Sequence, residues 1–172
     1  PKYQIACGIA DIMMHTLERY FIPNQKNRLT DEIAEGVLRT VIDNGRIAVQ
    51  NPTDYDAMSE IMWCGSLSHN DLTGLGRVKD FSVHKFGHAL SAKFDVAHGA
   101  SLTTIWGHWA NYVYENDLER FKHYAKAVWG IETEDAKCAA EEAIACTVAY
   151  FKEIGMPTCL TELGVGLQTK EV

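Results

Sequence analysis

Apolar residues recur every three or four positions along most of this chain, the spacing of one buried helix face. Tyr3 to Tyr20 carries Ile5, Ile9, Ile12 and Leu17 in this pattern. Thr30, followed by Asp31 and Glu32, predicts a helix start, with Ile33, Val37 and Val41 on one stripe. Asn51-Pro52 reads as the cap and first turn of a third helix running through Trp63. A glycine-bearing connector, Thr73 to Arg77, follows. Ser82 is expected to cap a helix through about Phe94, and another is expected from Gly99 to Tyr114. Asp117 opens a further helix ending near Gly130. The clearest pattern runs from Thr133 to Ile154, stopped by Gly155 with Pro157 beyond. No strand meander and no β-α-β alternation interrupts this. The expected fold is all-α, a single helical domain over residues 1–172 with helix packed on helix.

Composition adds exclusions. Hydrophobic residues make up 47% of 172 residues, ordinary for a globular chain with a sizeable core. No apolar run is long enough to span a bilayer, and no signal peptide is visible, so a cytoplasmic protein is expected. The net charge of −7 comes without a basic cluster, which argues against nucleic-acid binding. Cys7, Cys64, Cys138, Cys146 and Cys159 are scattered and form no C-x-x-C pair, so they read as reduced thiols rather than a thiolate zinc site.

Histidines change the picture. Asp11 and His15 are four apart, which puts both on one face of the first helix. His84 and His88 repeat that spacing, and His98 lies ten residues further on, immediately before Gly99. One carboxylate with several imidazoles suits Fe²⁺ or Zn²⁺ better than Mg²⁺ or Ca²⁺, which prefer oxygen shells. Spacing alone leaves this open, because D-x-x-x-H is also a common surface pair. His69, His108 and His123 read as ordinary histidines, His108 lying between Trp106 and Trp109. Competing motifs are missing: no H-E-x-x-H, E-x-x-H, G-x-S-x-G or Walker loop occurs, and no histidine is followed by aspartate as the all-α His-Asp hydrolases require.

GIADIMMHTLERYF, together with HNDLTGLGRVKDFSVHKFGHALSAKFDVAHGASL, resembles the C-terminal domain of iron-containing (group III) alcohol dehydrogenases, most closely the bacterial butanol dehydrogenase branch. The resemblance covers about residues 1 to 168. It implies the α-helical C-terminal fold shared with dehydroquinate synthases, and a metal held by Asp11, His15, His84 and His98, the last fourteen residues after His84. It places His88 beside the metal, near nicotinamide and substrate, as a proton relay or cofactor-positioning residue. It further implies NAD(P)H, small alcohols and aldehydes as substrates, and a homodimer. Dehydroquinate synthases carry Glu where Asp11 stands, so the Asp-plus-three-His set favours the alcohol dehydrogenase branch.

One departure sets an expectation about activity. The family's nucleotide-binding N-terminal domain, with its glycine-rich loop, has no counterpart in this sequence, and the LQTKEV tail stops earlier than in relatives. The chain therefore reads as the metal-binding half of a larger dehydrogenase, inactive by itself. The alternatives are a non-catalytic metal-binding or assembly module and an all-α metal-dependent hydrolase. Trp63, Phe81, Phe94, Trp106 and Trp109 are candidate walls of an apolar substrate pocket.

Overall fold

A computed structural model describes residues 1–23 and 27–166. Seven α-helices carry the described chain: α1 (Lys2–Tyr20), α2 (Arg28–Gln50), α3 (Tyr55–His69), α4 (Ser82–Phe94), α5 (His98–Val113), α6 (Leu118–Trp129) and α7 (Ala136–Glu153). Short 3₁₀ turns at Leu72–Gly74 and Tyr114–Asn116 join α3 to α4 and α5 to α6. There is no strand among the described residues. The LQTKEV tail lies outside them.

The central element is α1. Ile9, Met13 and Leu17 recur at i, i+4 and i+8, and Ala6 and Ala10 let neighbouring helices close in. From Ile12 to Tyr20 nearly every residue except His15 is buried, because α1 packs against α2, α3, α4 and α5. The buried apolar side chains form one contiguous cluster that runs on through Trp106 of α5 to Phe151 of α7. Each large member removed from water contributes roughly 1.5–3 kcal/mol.

Helix ends follow local chemistry, in several places differently from expectation: α2 already begins at Arg28, two residues before Thr30. Asn51 closes α2 rather than opening α3; the cap of α3 is Asp54, whose carboxylate accepts from the Ala57 amide at 3.0 Å. That helix then continues six residues beyond Trp63, to His69. Ser82 is the first residue of α4, not its cap, and its amide donates to Asp80 at 2.8 Å. In α7 the cap is Asp135, which accepts from the Lys137 and Cys138 amides, so the helix begins three residues after Thr133. Asp117 caps α6, and Gly130 ends it in a left-handed turn, as the sequence predicts. Asp95 likewise ends α4 in the left-handed region, reversing the chain so that α5 returns along α4.

Candidate metal centre

Three helices supply the residues that the sequence singled out. Asp11 and His15 come from α1, His84 from the first turn of α4, and His98 from the first residue of α5. Gly99 makes this convergence possible. A Cβ there would lie 2.4 Å from the Cys7 carbonyl oxygen and 2.6 Å from its Cα, so the start of α5 rests directly on the α1 backbone. That contact sits one turn before Asp11 and fixes His98 over it.

Oδ1 of Asp11 is the focus. His84 Nε2 and His98 Nε2 each lie 3.4 Å from it, and His15 Nε2 lies 3.7 Å away. Donors bound tetrahedrally to one ion at about 2.1 Å would stand roughly 3.4 Å apart. Asp11 Oδ1 and His84 Nε2 are buried yet have no hydrogen-bond partner, and neither does His15 Nδ1. Buried polar atoms are rarely left this way without an ion or water to meet them. Asp11, His84 and His98 thus fit a divalent cation on charge, donor type and spacing, their donor atoms all lying within 4.8 Å of one another, while His15 stands closer to a second such group with Asp11 and His69.

The surroundings orient these donors. Glu18, seven residues after Asp11 on the same stripe of α1, is fully buried. Its carboxylate accepts from the Val83 amide at 2.6 Å and from His84 Nδ1. With Nδ1 turned to Glu18, Nε2 is the nitrogen that faces Asp11, and it offers a lone pair there once its own proton leaves. The Phe81 ring stands 5.6 Å from that of His15 and 5.2 Å from that of His84, closing the apolar side. Exposure rises from 6% for the His84 side chain to 36% for His98, so the cluster opens to solvent on the α5 side.

Electrostatics follow from burial and proximity. Burial pushes the Asp11 carboxyl up, but His84 and the nearby imidazoles overcome this and hold it at about 2. Burial lowers His15 to about 4, with Asp11 opposing. Burial also lowers His98. His84 moves the other way, to about 9, because the Asp11 and Glu18 carboxylates outweigh its desolvation. Near neutral pH the metal-free cluster therefore offers one ionised carboxylate and lone pairs on His15 and His98, and His84 gives up its second proton when a cation takes its place.

His88 lies at the edge. Its ring is stacked on that of His98, centroids 4.9 Å apart, and its side chain is exposed. Two residues that the sequence reading passed over belong to the site. One is Glu18. The other is His69, at the end of α3, whose Nε2 lies 3.2 Å from Asp11 Oδ2 and whose ring is 4.1 Å from that of His15. The spacing D-x-x-x-H-x-x-E could have flagged Glu18, while His69 was hidden by the early end expected for α3. His108 and His123 stay outside; His123 Nε2 meets Glu35 at 2.9 Å instead. Among the five aromatic candidates, Phe81 adjoins the histidines. Trp106 is wholly buried against Phe151, Trp109 packs toward Phe21, and Trp63 is exposed.

Comparison with known proteins shows the family. The profile of the Fe-containing alcohol dehydrogenase family, C-terminal, matches residues 5–171. The chain belongs to that family. It is 41% identical to NADH-dependent butanol dehydrogenase A of Clostridium acetobutylicum, covering all of this chain and 45% of the relative. It is 31% identical to NADPH-dependent aldehyde reductase YqhD of Escherichia coli, covering 96% and 43%. The structure of NADH-dependent butanol dehydrogenase A from Thermotoga maritima superposes with a TM-score of 0.93 at 31% identity, over 96% of this chain and 42% of that one. The chain thus spans less than half the length of the relatives it matches. Among the described residues, no helix is long and apolar enough to cross a membrane.

Proposed function

We propose that Asp11, His15, His84 and His98 hold one divalent cation, Fe²⁺ or Zn²⁺, at the reacting end of an NAD(P)H-dependent alcohol dehydrogenase or aldehyde reductase. The observation that carries this reading is the unpartnered, buried Oδ1 of Asp11, ringed by three imidazole nitrogens at 3.4–3.7 Å. The activities of the relatives point to the same chemistry. Membership of the family supports iron, and the donor set accepts zinc equally well.

When bound, the cation supplies Lewis-acid polarisation of an alcohol or carbonyl oxygen. The remaining work falls to the chain's own residues. Asp11 sets the charge of the centre, and Glu18 locks His84 in the tautomer that presents Nε2. Phe81 keeps water off the closed side. The exposed His98 edge leaves room for a substrate oxygen, and His88, stacked there, holds or accepts a proton at its ring nitrogen or braces the nicotinamide. The dinucleotide is held mainly by a separate nucleotide-binding domain, so residues 1–172 alone do not turn over. A cytoplasmic homodimer acting on small alcohols and aldehydes completes the proposal.

The test is cofactor oxidation. The protein, expressed with the sequence that its reading frame supplies ahead of Pro1, should oxidise NADH or NADPH when given butanal. It should lose this with a chelator and regain it with Fe²⁺ or Zn²⁺. Metal-loaded protein that oxidises neither cofactor with any aliphatic aldehyde would overturn the reading.

A further inference from the structure

We infer that His69 is a positioning residue of this centre: its Nε2 holds the outer oxygen of Asp11, so that Oδ1 alone faces the other three imidazoles. The inference rests on the metal reading above and adds a residue outside the four ligands.

The end of α3 is fixed to α1 before His69 acts. Arg19, buried on α1, donates to the His15 carbonyl at 2.8 Å, to the Ser68 carbonyl, and to Asp71 Oδ1 at 3.0 Å. Gly65 allows the approach, since a Cβ there would already touch Ile12 Cδ1 at 3.3 Å. His69 is thereby delivered to the rim of the cluster, Nε2 toward Asp11 Oδ2 at 3.2 Å. With hydrogen on Nε2, its other nitrogen accepts from the Ser68 hydroxyl, Nδ1 to Oγ 2.8 Å; the Gly65 carbonyl oxygen beside it, at 2.9 Å, offers no donor to that nitrogen.

A carboxylate oxygen only accepts. A bare Nε2 would face Oδ2 lone pair to lone pair, so the contact is attractive only with hydrogen on Nε2 or a cation between the two atoms. Asp11, His15 and His69 do lie close enough to form a donor group of their own. A neutral imidazole, however, has a single lone pair, and the proposed centre takes that of His15 Nε2, 3.7 Å from Oδ1. An ion at the outer position would take His15 from the inner one. Hydrogen on Nε2 resolves both demands. Oδ2 is satisfied by His69, and Oδ1, the atom left without a partner, is kept for the ion. Asp11 then binds through one oxygen only.

The test is metal affinity, measured for Zn²⁺ and Co²⁺ by competition with a chromophoric chelator, in wild type, His69→Ala and His69→Gln. The His69 side chain is 42% exposed, so truncation empties no core and the metal-free melting temperature should stay put. His69→Ala should bind about 10–100-fold more weakly, the usual effect of losing a partner behind a ligand. His69→Gln, whose amide nitrogen can donate to Oδ2, should recover most of that. The Co²⁺ absorption of His69→Ala should keep the pattern of three nitrogens and one oxygen. Affinity in His69→Ala within twofold of wild type would overturn the inference alone. A spectrum showing a lost nitrogen donor would also overturn it, by making His69 a ligand. Wild-type protein that binds neither ion would overturn the centre itself and this inference with it.

Discussion

The buried carboxylate of Glu18 accepts the Nδ1 proton of His84, and the opposite nitrogen of the same ring stands 3.4 Å from Asp11 Oδ1. A residue in the last turn of α1 thus decides which face of a residue on α4 is available. The first amides of α4 also converge on Glu18, which is how a fully buried carboxylate is tolerated there. Glu18→Gln replaces one acceptor oxygen by a donor that must face either the Val83 amide or His84 Nδ1. Metal affinity should fall by about 10–100-fold. Stability should fall by roughly 1–3 kcal/mol, the cost of a buried unsatisfied group. Chelator competition and denaturant titration measure the two separately.

Gly99→Ala should disturb the centre without touching a donor. The added methyl meets the backbone of Cys7, which cannot rotate away as a side chain would. Overpacking of this kind costs about 1–3 kcal/mol. The shift of α5 against α1 carries His98 away from Asp11, so metal affinity should drop as well. Thermal melts of the metal-free protein, paired with Zn²⁺ binding, check both effects.

Trp106→Ala makes the opposite case. Trp106 is fully buried, edge-on to Phe151 where α5 meets α7. Truncation should destabilise by about 3–5 kcal/mol. In protein that remains folded, Zn²⁺ affinity should match wild type. A large affinity loss in this variant would mean that the pocket extends toward α7.

Acid sensitivity should trace to Asp31. Its carboxylate pairs with both Arg120 and Arg77, the Arg77 side chain being fully buried. Burial pushes the Asp31 carboxyl up, but the two guanidiniums outweigh it and hold it below the usual range. A depressed folded-state value contributes stability above the unfolded value of about 3.9, and that stability is lost as pH falls through the lower folded value. Asp31→Asn should therefore flatten the acid limb of melting temperature against pH, below about pH 4. It should also cost about 3 kcal/mol at neutral pH, by leaving two buried cations short of a partner. An unchanged acid limb would refute this.

Much of the fold is legible from periodicity because the helices carry their apolar stripes locally, and α6 its end signals as well: Asp117 and Gly130 bracket it as written in the sequence. The misreadings arise where a local signal competes with packing. Asn51-Pro52 has the composition of a helix start, yet the chain completes α2 there and turns before Asp54 takes the cap. Cys64-Gly65-Ser66 reads as weak helix, yet Gly65 is what lets α3 cross α1 closely, and the helix runs on to His69. Asp11, His15, His84, His88 and His98 stand out by helical spacing and ligand chemistry, and the family resemblance is what selects Asp11, His15, His84 and His98 among them. Glu18 shares the α1 stripe of Asp11 and His15, but its partners at the start of α4 are visible only in the fold, and His69 depends on where α3 ends.

The most direct measurement is elemental analysis of anaerobically purified protein alongside Asp11→Ala and His98→Ala. The account predicts close to one equivalent of iron or zinc per chain in wild type, and loss of that metal in both variants at unchanged helix content. Undiminished stoichiometric metal in both variants would contradict it.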